Sequence, residues 1–248
     1  MKKKSKILIT LIQIVLIAVI IFSGIKIIEW IKSNKKNKDI MSEIKENVVI
    51  NNEMDSNNEE YKIDFAKLKQ KNSDAIAWIK VNGTNINYPF VKHTDNDYYL
   101  NKSFDKSYNE AGWVFMDYRN NASNFDKNTI LYAHGRLDGT MFSSLKNILK
   151  SSWYDNKDNH IIRLSTETEN TLWQVFSVYR IPTTSDYIEV NFRSDTEYLN
   201  LLNTLKERSN FAFGTTISEK DKILTLSTCY NDDDKVVMHA KLIKQSKR

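Results

Sequence analysis

The stretch Ile7–Ile25 reads ILITLIQIVLIAVIIFSGI and carries no charged side chain, with Gln13 its most polar member. A lipid interior offers backbone N–H and C=O groups no partners outside the segment itself, so such a run enters a bilayer only as a helix. About 18 or more apolar residues suffice to cross one. Lys2, Lys3, Lys4 and Lys6 precede the run, while Lys26, Lys32, Lys35, Lys36 and Lys38 follow it. Flanking positive charge therefore does not orient the span by itself. A cleaved signal peptide has a shorter apolar region and a small-x-small cleavage site. Ser23-Gly24 is the only small pair here, which favours an uncleaved signal anchor over a cleaved signal.

Beyond the span, residues 33–60 are rich in Asn, Lys, Glu and Ser, with Val48, Val49 and Ile50 the main apolar exception. They read as a solvated spacer, in part helical, lifting a domain off the membrane. About one domain's worth of chain remains, since domains run roughly 100–200 residues. The formal charge of +5 lies largely beside the apolar run. With no Arg/Lys stripe interleaved with aromatics, nucleic acid is not an expected partner. The single cysteine excludes an intramolecular disulfide and a Cys-rich zinc site.

The remainder is mostly β by pattern. Strand-like runs of β-branched and aromatic residues fall at Asn85–Lys92, Gly112–Tyr118, Asn128–His134, His160–Ser165, Thr171–Ile181, Lys222–Cys229 and Lys235–Ile243. Many short strands indicate a barrel or sandwich. Phe65 and Leu68, then Ile76, Trp78 and Ile79, suggest one or two short helices before them. Met141, Leu145, Ile148 and Leu149 share one helical face, as do Tyr198, Leu201, Leu202 and Leu205. Ser194 with Glu197 forms a capping box for the latter.

The chemistry centres on Cys229, delivered by the alternating run Leu224-Thr-Leu-Ser227 to a strand end, and on His134, which ends Thr129–His134 just before Gly135. A thiolate is the reactive form of cysteine, whose free pKa is about 8.5, so a nearby cation is needed; His134 or Lys235 could supply it. His134 could serve as base and then as acid to a leaving amine. The bland alternatives are a buried structural thiol and a surface histidine at a strand end. His239 reads as an ordinary strand position, and His93 and His160 as solvated flanks. Asp232, Asp233 and Asp234 lack EF-hand spacing and read as a solvated turn whose negative charge would oppose a thiolate.

Several motifs together resemble the sortases, class B most closely: Thr225-Leu-Ser-Thr-Cys229, Tyr132-Ala-His134-Gly135, Asn85-Ile-Asn-Tyr-Pro89, Phe115-Met-Asp-Tyr-Arg119, and the Ser194–Arg208 helix before the Cys strand. The resemblance spans roughly Tyr61 to Ile243. It implies an eight-stranded β-barrel with added helices, preceded by one N-terminal transmembrane helix. The layout would be a basic N-terminus (1–6), a transmembrane signal anchor (7–31), a polar spacer (32–60) and a catalytic domain (61–248). It implies a cysteine transpeptidase on the outer face of a Gram-positive cell membrane, with no metal and no organic cofactor. Cys229 would attack the Thr carbonyl of a C-terminal sorting motif, Asn-Pro-x-Thr-Asn or Pro-x-Thr-Gly in kind. A peptidoglycan amine would resolve the thioacyl-enzyme, with His134 moving the protons. Asn87 and Ser227 match positions that contact the sorting peptide, and Thr183, Tyr187 and Ile188 resemble the pocket wall.

One position departs from the family pattern. Aligning Val236–Leu242 with the family's final strand puts Lys235 where sortases carry an Arg that holds substrate and oxyanion. Lysine keeps the charge and loses the planar fork, which points to reduced activity or altered substrate preference. Two alternatives stay open from sequence. A hydrolytic cysteine peptidase is disfavoured because His precedes Cys and the Cys ends a strand. A membrane-tethered, non-catalytic wall- or peptide-binding module is kept open by the missing Arg.

Overall fold

The computed structural model describes residues 2–48 and 62–248, with the side chains of 2–5 left aside. It opens with one long helix, α1 (Lys2–Val48). At 1.5 Å per residue, 47 residues extend about 70 Å. Its first part is apolar from Ile7 to Ile25, with the Lys26–Glu29 ion pair beyond it, and its large apolar side chains from Ile7 to Ile31 are exposed. Its last part is not a solvated spacer: Asn34, Asn37, Met41, Ile44 and Val48 are buried against the rest of the protein. Their spacing of three and four residues is that of a single helical stripe. Met41, Ile44 and Val48 join the main core, packed with Ile63, Phe65 and Leu68. The expected spacer is thus corrected as far as Val48. Its remainder, with the expected domain start at Tyr61, lies outside the described residues.

A short helix follows, α2 (Phe65–Lys71), its first turn capped by Asp64, which accepts from Lys67 N at 3.0 Å. Then come the strands β1 (Ala75–Val81), β2 (Asn87–Lys92), β3 (Phe115–Met116) and β4 (Asn128–Tyr132). A 3-10 turn at Ser143–Leu149 and the single-turn helix α3 (Ser151–Tyr154) lead to β5 (Ile161–Thr166) and β6 (Glu169–Pro182). Helix α4 (Asp195–Glu207) precedes β7 (Ile223–Cys229) and β8 (Asp234–Lys247). The strands close into a barrel in the order β1-β2-β3-β4-β7-β8-β6-β5. The eight-stranded barrel with an N-terminal apolar helix is therefore as expected.

Three local expectations change. Ile76, Trp78 and Ile79 lie on strand β1, not a helix: Ala75, Ala77, Ile79 and Val81 are buried on one face, and on the other Trp78 is buried between half-buried Ile76 and Lys80. The Met141–Leu149 face forms a 3-10 turn starting at Ser143, with Met141 outside it in the left-handed region (φ 54°). The Gly112–Tyr118 run contributes only two residues to the barrel. The capped helix is present: Ser194 accepts from Glu197 N at 3.1 Å, and Glu197 in turn accepts from Arg193 N at 2.6 Å.

Pairing in the barrel decides where the chemistry sits. β4 and β7 run parallel, with Tyr132 opposite Ser227. Two residues further on, the same register sets the His134 end beside Cys229. β7 and β8 run antiparallel and set Cys229 opposite Lys235, while β6 brings Ile181 to the other side of Lys235.

Candidate active site

Cys229 is the last residue of β7 and is exposed, so it is not a buried structural thiol. The hairpin to β8 is tight: Tyr230 N donates to Asp234 O at 2.8 Å, and Asn231 Oδ1 accepts from Asp233 N and Asp234 N. Lys235 then points back across the ladder, with its Nζ 2.9 Å from Cys229 Sγ. Of the two cations that sequence allowed for the thiol, Lys235 is the one in direct contact.

His134 is reached along the parallel neighbour. Thr228 Oγ1 donates to Ala133 O at 2.8 Å, tying the two strand ends together. A Cβ on Gly135 would collide with the Cys229 carbonyl, so only glycine lets the histidine loop pass this close. The ring is oriented from the far side by Leu100 O, 2.9 Å from Nε2. A carbonyl only accepts, so Nε2 carries the proton, and in the neutral ring Nδ1 is the basic nitrogen. Gly112 packs against the same ring. A Cβ there would lie 3.1 Å from His134 Cδ2 and 2.7 Å from Leu100 O, and its φ of +59° favours glycine independently. Leu100 and Gly112 carry no catalytic side chain, and the sequence reading missed both.

The acids after the cysteine are not simply a solvated turn. Asp234 is gripped by Arg180 through Nε (2.7 Å) and Nη2, and the guanidinium lies 4.0 Å over the Tyr230 ring. The carboxylate nearest Lys235 in sequence is thereby already paired. Asp233 offers its backbone carbonyl to Thr183, whose N and Oγ1 approach at 2.8 and 2.9 Å. Among the described residues no group of three or more His, Cys, Asp or Glu side chains is placed to hold a metal.

The pocket-wall candidates separate into two groups. Tyr187 and Ser227 are buried and satisfy each other, OH to Oγ, at 2.9 Å. Burial raises the Tyr187 phenol above its ordinary value, so the group stays a neutral hydroxyl. Thr183 is exposed and Ile188 half-buried, which leaves them available at the surface. Asn87 sits at the start of β2 with Oδ1 accepting from Trp78 Nε1 at 2.7 Å. The structure therefore brings Cys229, Lys235 and the His134 strand end together, and joins Ser227 to Tyr187. It places Asn87 on the β1–β2 wall.

Two supports lie under this wall, the first built from the Phe115–Arg119 motif, to whose Asp117 and Arg119 the sequence assigned no role. Arg119 binds Asp117 through Nε (2.9 Å) and Nη2 (2.8 Å), and Nη2 also reaches Ile188 O at 2.9 Å. Burial alone would raise the Asp117 carboxyl, but Arg119 and the Tyr132 hydroxyl outweigh it and hold it below the usual carboxylate range. The second support is fully buried. Tyr179 OH donates to His239 Nε2 (2.8 Å), His239 Nδ1 donates to Thr225 Oγ1 (2.9 Å), and Thr225 donates to Asn128 Oδ1 (2.7 Å). Asn128 Nδ2 then donates to Tyr187 O and Glu189 O at 3.2 and 2.9 Å. His239 is thus an interior strand residue, as expected. His160, expected to be solvated, is buried beside Trp153 and Tyr154, with Nε2 2.8 Å from Tyr154 O. His93 is half-buried, stacked on Tyr98.

A strand-end thiol, a lysine on its sulfur and a histidine loop alongside, in a closed eight-stranded barrel, define a thiol acyltransferase site. The sequence profile of the sortase domain matches residues 79–243. Over 247 residues the chain is 34% identical to sortase B of Staphylococcus aureus, covering 98% of this chain and 100% of that one. The crystal structure of sortase B from Bacillus anthracis superposes with a TM-score of 0.75 at 36% identity, covering 86% of this chain and 99% of that chain. The Staphylococcus aureus sortase B–substrate complex gives 0.68 at 34% identity, covering 87% and 94%. The chain belongs to the sortase family of transpeptidases, and to its class B.

Proposed function

We propose that this sortase is held to the cell membrane of a Gram-positive bacterium by residues 7–31 of α1. Its catalytic domain would lie outside the cell, where it joins surface proteins to peptidoglycan. The uncharged run Ile7–Ile25 of α1, with its large apolar side chains exposed, supports the anchor. The substrate would carry a C-terminal sorting motif of the Asn-Pro-x-Thr-Asn or Pro-x-Thr-Gly kind.

In this reading His134 Nδ1 first takes the Cys229 thiol proton, and the thiolate then attacks the Thr carbonyl carbon. The C–N bond then breaks as His134 Nδ1 gives its proton to the leaving amine, leaving a thioester on Sγ. A peptidoglycan amine attacks that thioester and surrenders its proton to Nδ1, and the sulfur departs as thiolate. Lys235 holds the thiolate before attack and turns to the developing oxyanion once the sulfur is acylated and accepts hydrogen bonds poorly. Thr183 and Ile188 contact the peptide at the surface. Tyr187 and Ser227 shape the wall from behind, and Asn87 contributes from β2.

The observation that carries this reading is the direct Lys235–Cys229 contact at the end of a strand whose parallel neighbour delivers His134. The test is a panel of fluorogenic peptides bearing either motif, incubated with the full chain in detergent, with Cys229→Ala as control and an added amine as acceptor. Cys229-dependent cleavage after Thr, with transfer to the amine, is expected. Cleavage that persists in C229A, or hydrolysis that no amine diverts, would overturn it.

A further inference from the structure

The end of α1 that docks on the barrel does so against the loop that orients His134. Asn37 lies on the buried stripe of α1, 1% exposed, and every polar atom of its side chain is used. Its Oδ1 accepts from Ser103 Oγ (2.6 Å) and Asn109 Nδ2 (2.9 Å), and its Nδ2 donates to Gly112 O at 3.0 Å. Asn109 Nδ2 also reaches Ser33 O, one turn back on α1.

Gly112 is the residue at which an added Cβ would meet the His134 ring at 3.1 Å and Leu100 O, the acceptor of Nε2, at 2.7 Å. The loop is clamped at both ends of this contact. Trp113 N donates to Tyr99 O at 2.9 Å, and Asn109 N donates to Asn101 O at 3.0 Å. A second tie runs from the other side of the histidine. Arg136, two residues beyond it, donates through Nη2 to Asn34 Oδ1 at 2.6 Å, and its guanidinium faces the Trp30 ring at 6.0 Å. The one helix that carries the apolar run therefore holds both the loop under the ring and the loop after it.

From this geometry we infer that Asn37 is a positioning residue for His134. By fixing Gly112 and Leu100 O, it makes α1 the outer strut of the catalytic histidine. The inference rests on His134 being the proton-transfer group. It also means that the catalytic unit begins inside α1, near Ser33, and that a version lacking α1 loses the far wall of the histidine site.

Asn37→Asp isolates the effect. Asp keeps the two bonds accepted at Oδ1 and sets a carboxylate oxygen against Gly112 O in place of the N–H. In the full chain in detergent, N37D is expected to lower kcat by about tenfold or more with KM within about twofold, because small misplacements of a reacting group act on the chemical step. In 15N-imidazole spectra, wild-type His134 shows the Nε2–H tautomer, and N37D loses that uniform signature. A purely structural role would lower the melting temperature and leave tautomer and kcat as in wild type, which overturns the inference. If N37D fails to fold, Asn37→Ala decides on the same two readouts. His134→Ala, run in parallel, keeps the failures apart. Full activity in H134A defeats the assignment of His134 itself, whereas an inactive H134A beside a wild-type-like N37D defeats only the role of Asn37.

Discussion

Acidification from pH 7 to pH 5 destabilises this protein through one buried histidine. His239 is inaccessible to solvent, and burial first, then the Arg208 charge, pushes its pKa down to about 3. Its hydrogen bonds require the neutral ring, since Nε2 must accept from Tyr179 while Nδ1 donates to Thr225. An unfolded chain protonates the same residue near pH 6.5. Between the two values the unfolded state binds the extra proton, so stability falls as pH falls, beginning near 6.5 and levelling off near 3. For that pair of values, the fall from pH 7 to pH 5 is about 2 kcal/mol.

Urea unfolding of the full chain in detergent, followed by tryptophan fluorescence at both pH values, measures this loss. His239→Asn supplies the comparison. It keeps a donor toward Thr225, removes the titrating ring and takes away the acceptor of the Tyr179 O–H, which keeps only its Arg208 contact, so it starts about 1–3 kcal/mol less stable at pH 7. Its loss between pH 7 and pH 5 should be smaller than wild type's by about 2 kcal/mol. His160, whose pKa burial also lowers, remains in both proteins and cancels. Asp117 and Asp186, held below the usual carboxylate range, lose their contributions only at lower pH. Equal losses in H239N and wild type would refute the reasoning.

Two further expectations concern the site. Lys235→Ala removes the only side-chain donor seen on Sγ among the described residues and should lower kcat/KM about 10²–10³-fold, the usual scale for losing one oxyanion donor, whereas Lys235→Arg should retain or raise activity. Steady-state kinetics on the cleaved peptide reads both. Gly135→Ala drives a methyl into the Cys229 carbonyl; it should cost about 1–3 kcal/mol of stability and reduce kcat beyond what unfolding explains, as thermal melts beside turnover at a permissive temperature would show.

What could be read in the sequence follows from which signals are local. The cap of α4 was legible because Ser194 and Glu197 act within one turn. The strand ending at Cys229 was legible because it is a short β-branched run closed by the turn at Asn231, whereas the expected strand to His134 stops at Tyr132 and leaves His134 two residues into the loop that follows. β1 was misread because Ile76 and Trp78 put apolar side chains on its less buried face as well, which hides in the sequence the period of two that the burial shows. The docked end of α1 hid behind composition: its Asn, Lys and Glu content reads as solvent-exposed, although Asn34, Asn37, Met41, Ile44 and Val48 repeat at three and four residues. Two of those five are asparagines, and a hydrophobicity pattern does not count a buried asparagine that is fully bonded.

The sequence suggested His134 and Cys229 as a pair because each closes a strand-like run, but their placement side by side was not encoded locally. It depends on a parallel pairing of β4 with β7 across a long stretch of chain, and nothing in either strand's own pattern encodes that partner. The lysine is a different case. Once β7 and β8 are joined by a tight hairpin, the residue opposite the strand-end thiol is set by register, and here it is Lys235. A single ammonium on a flexible stem can occupy that place because Asp234, its nearest competitor for positive charge, is already bound by Arg180 from β6. An arginine at 235 would bring a fork and a second guanidinium beside the same carboxylate. With Asp234 paired to Arg180, the Lys235 ammonium stands on the Cys229 sulfur, so register and one ion pair together put a positive charge beside the strand-end thiol.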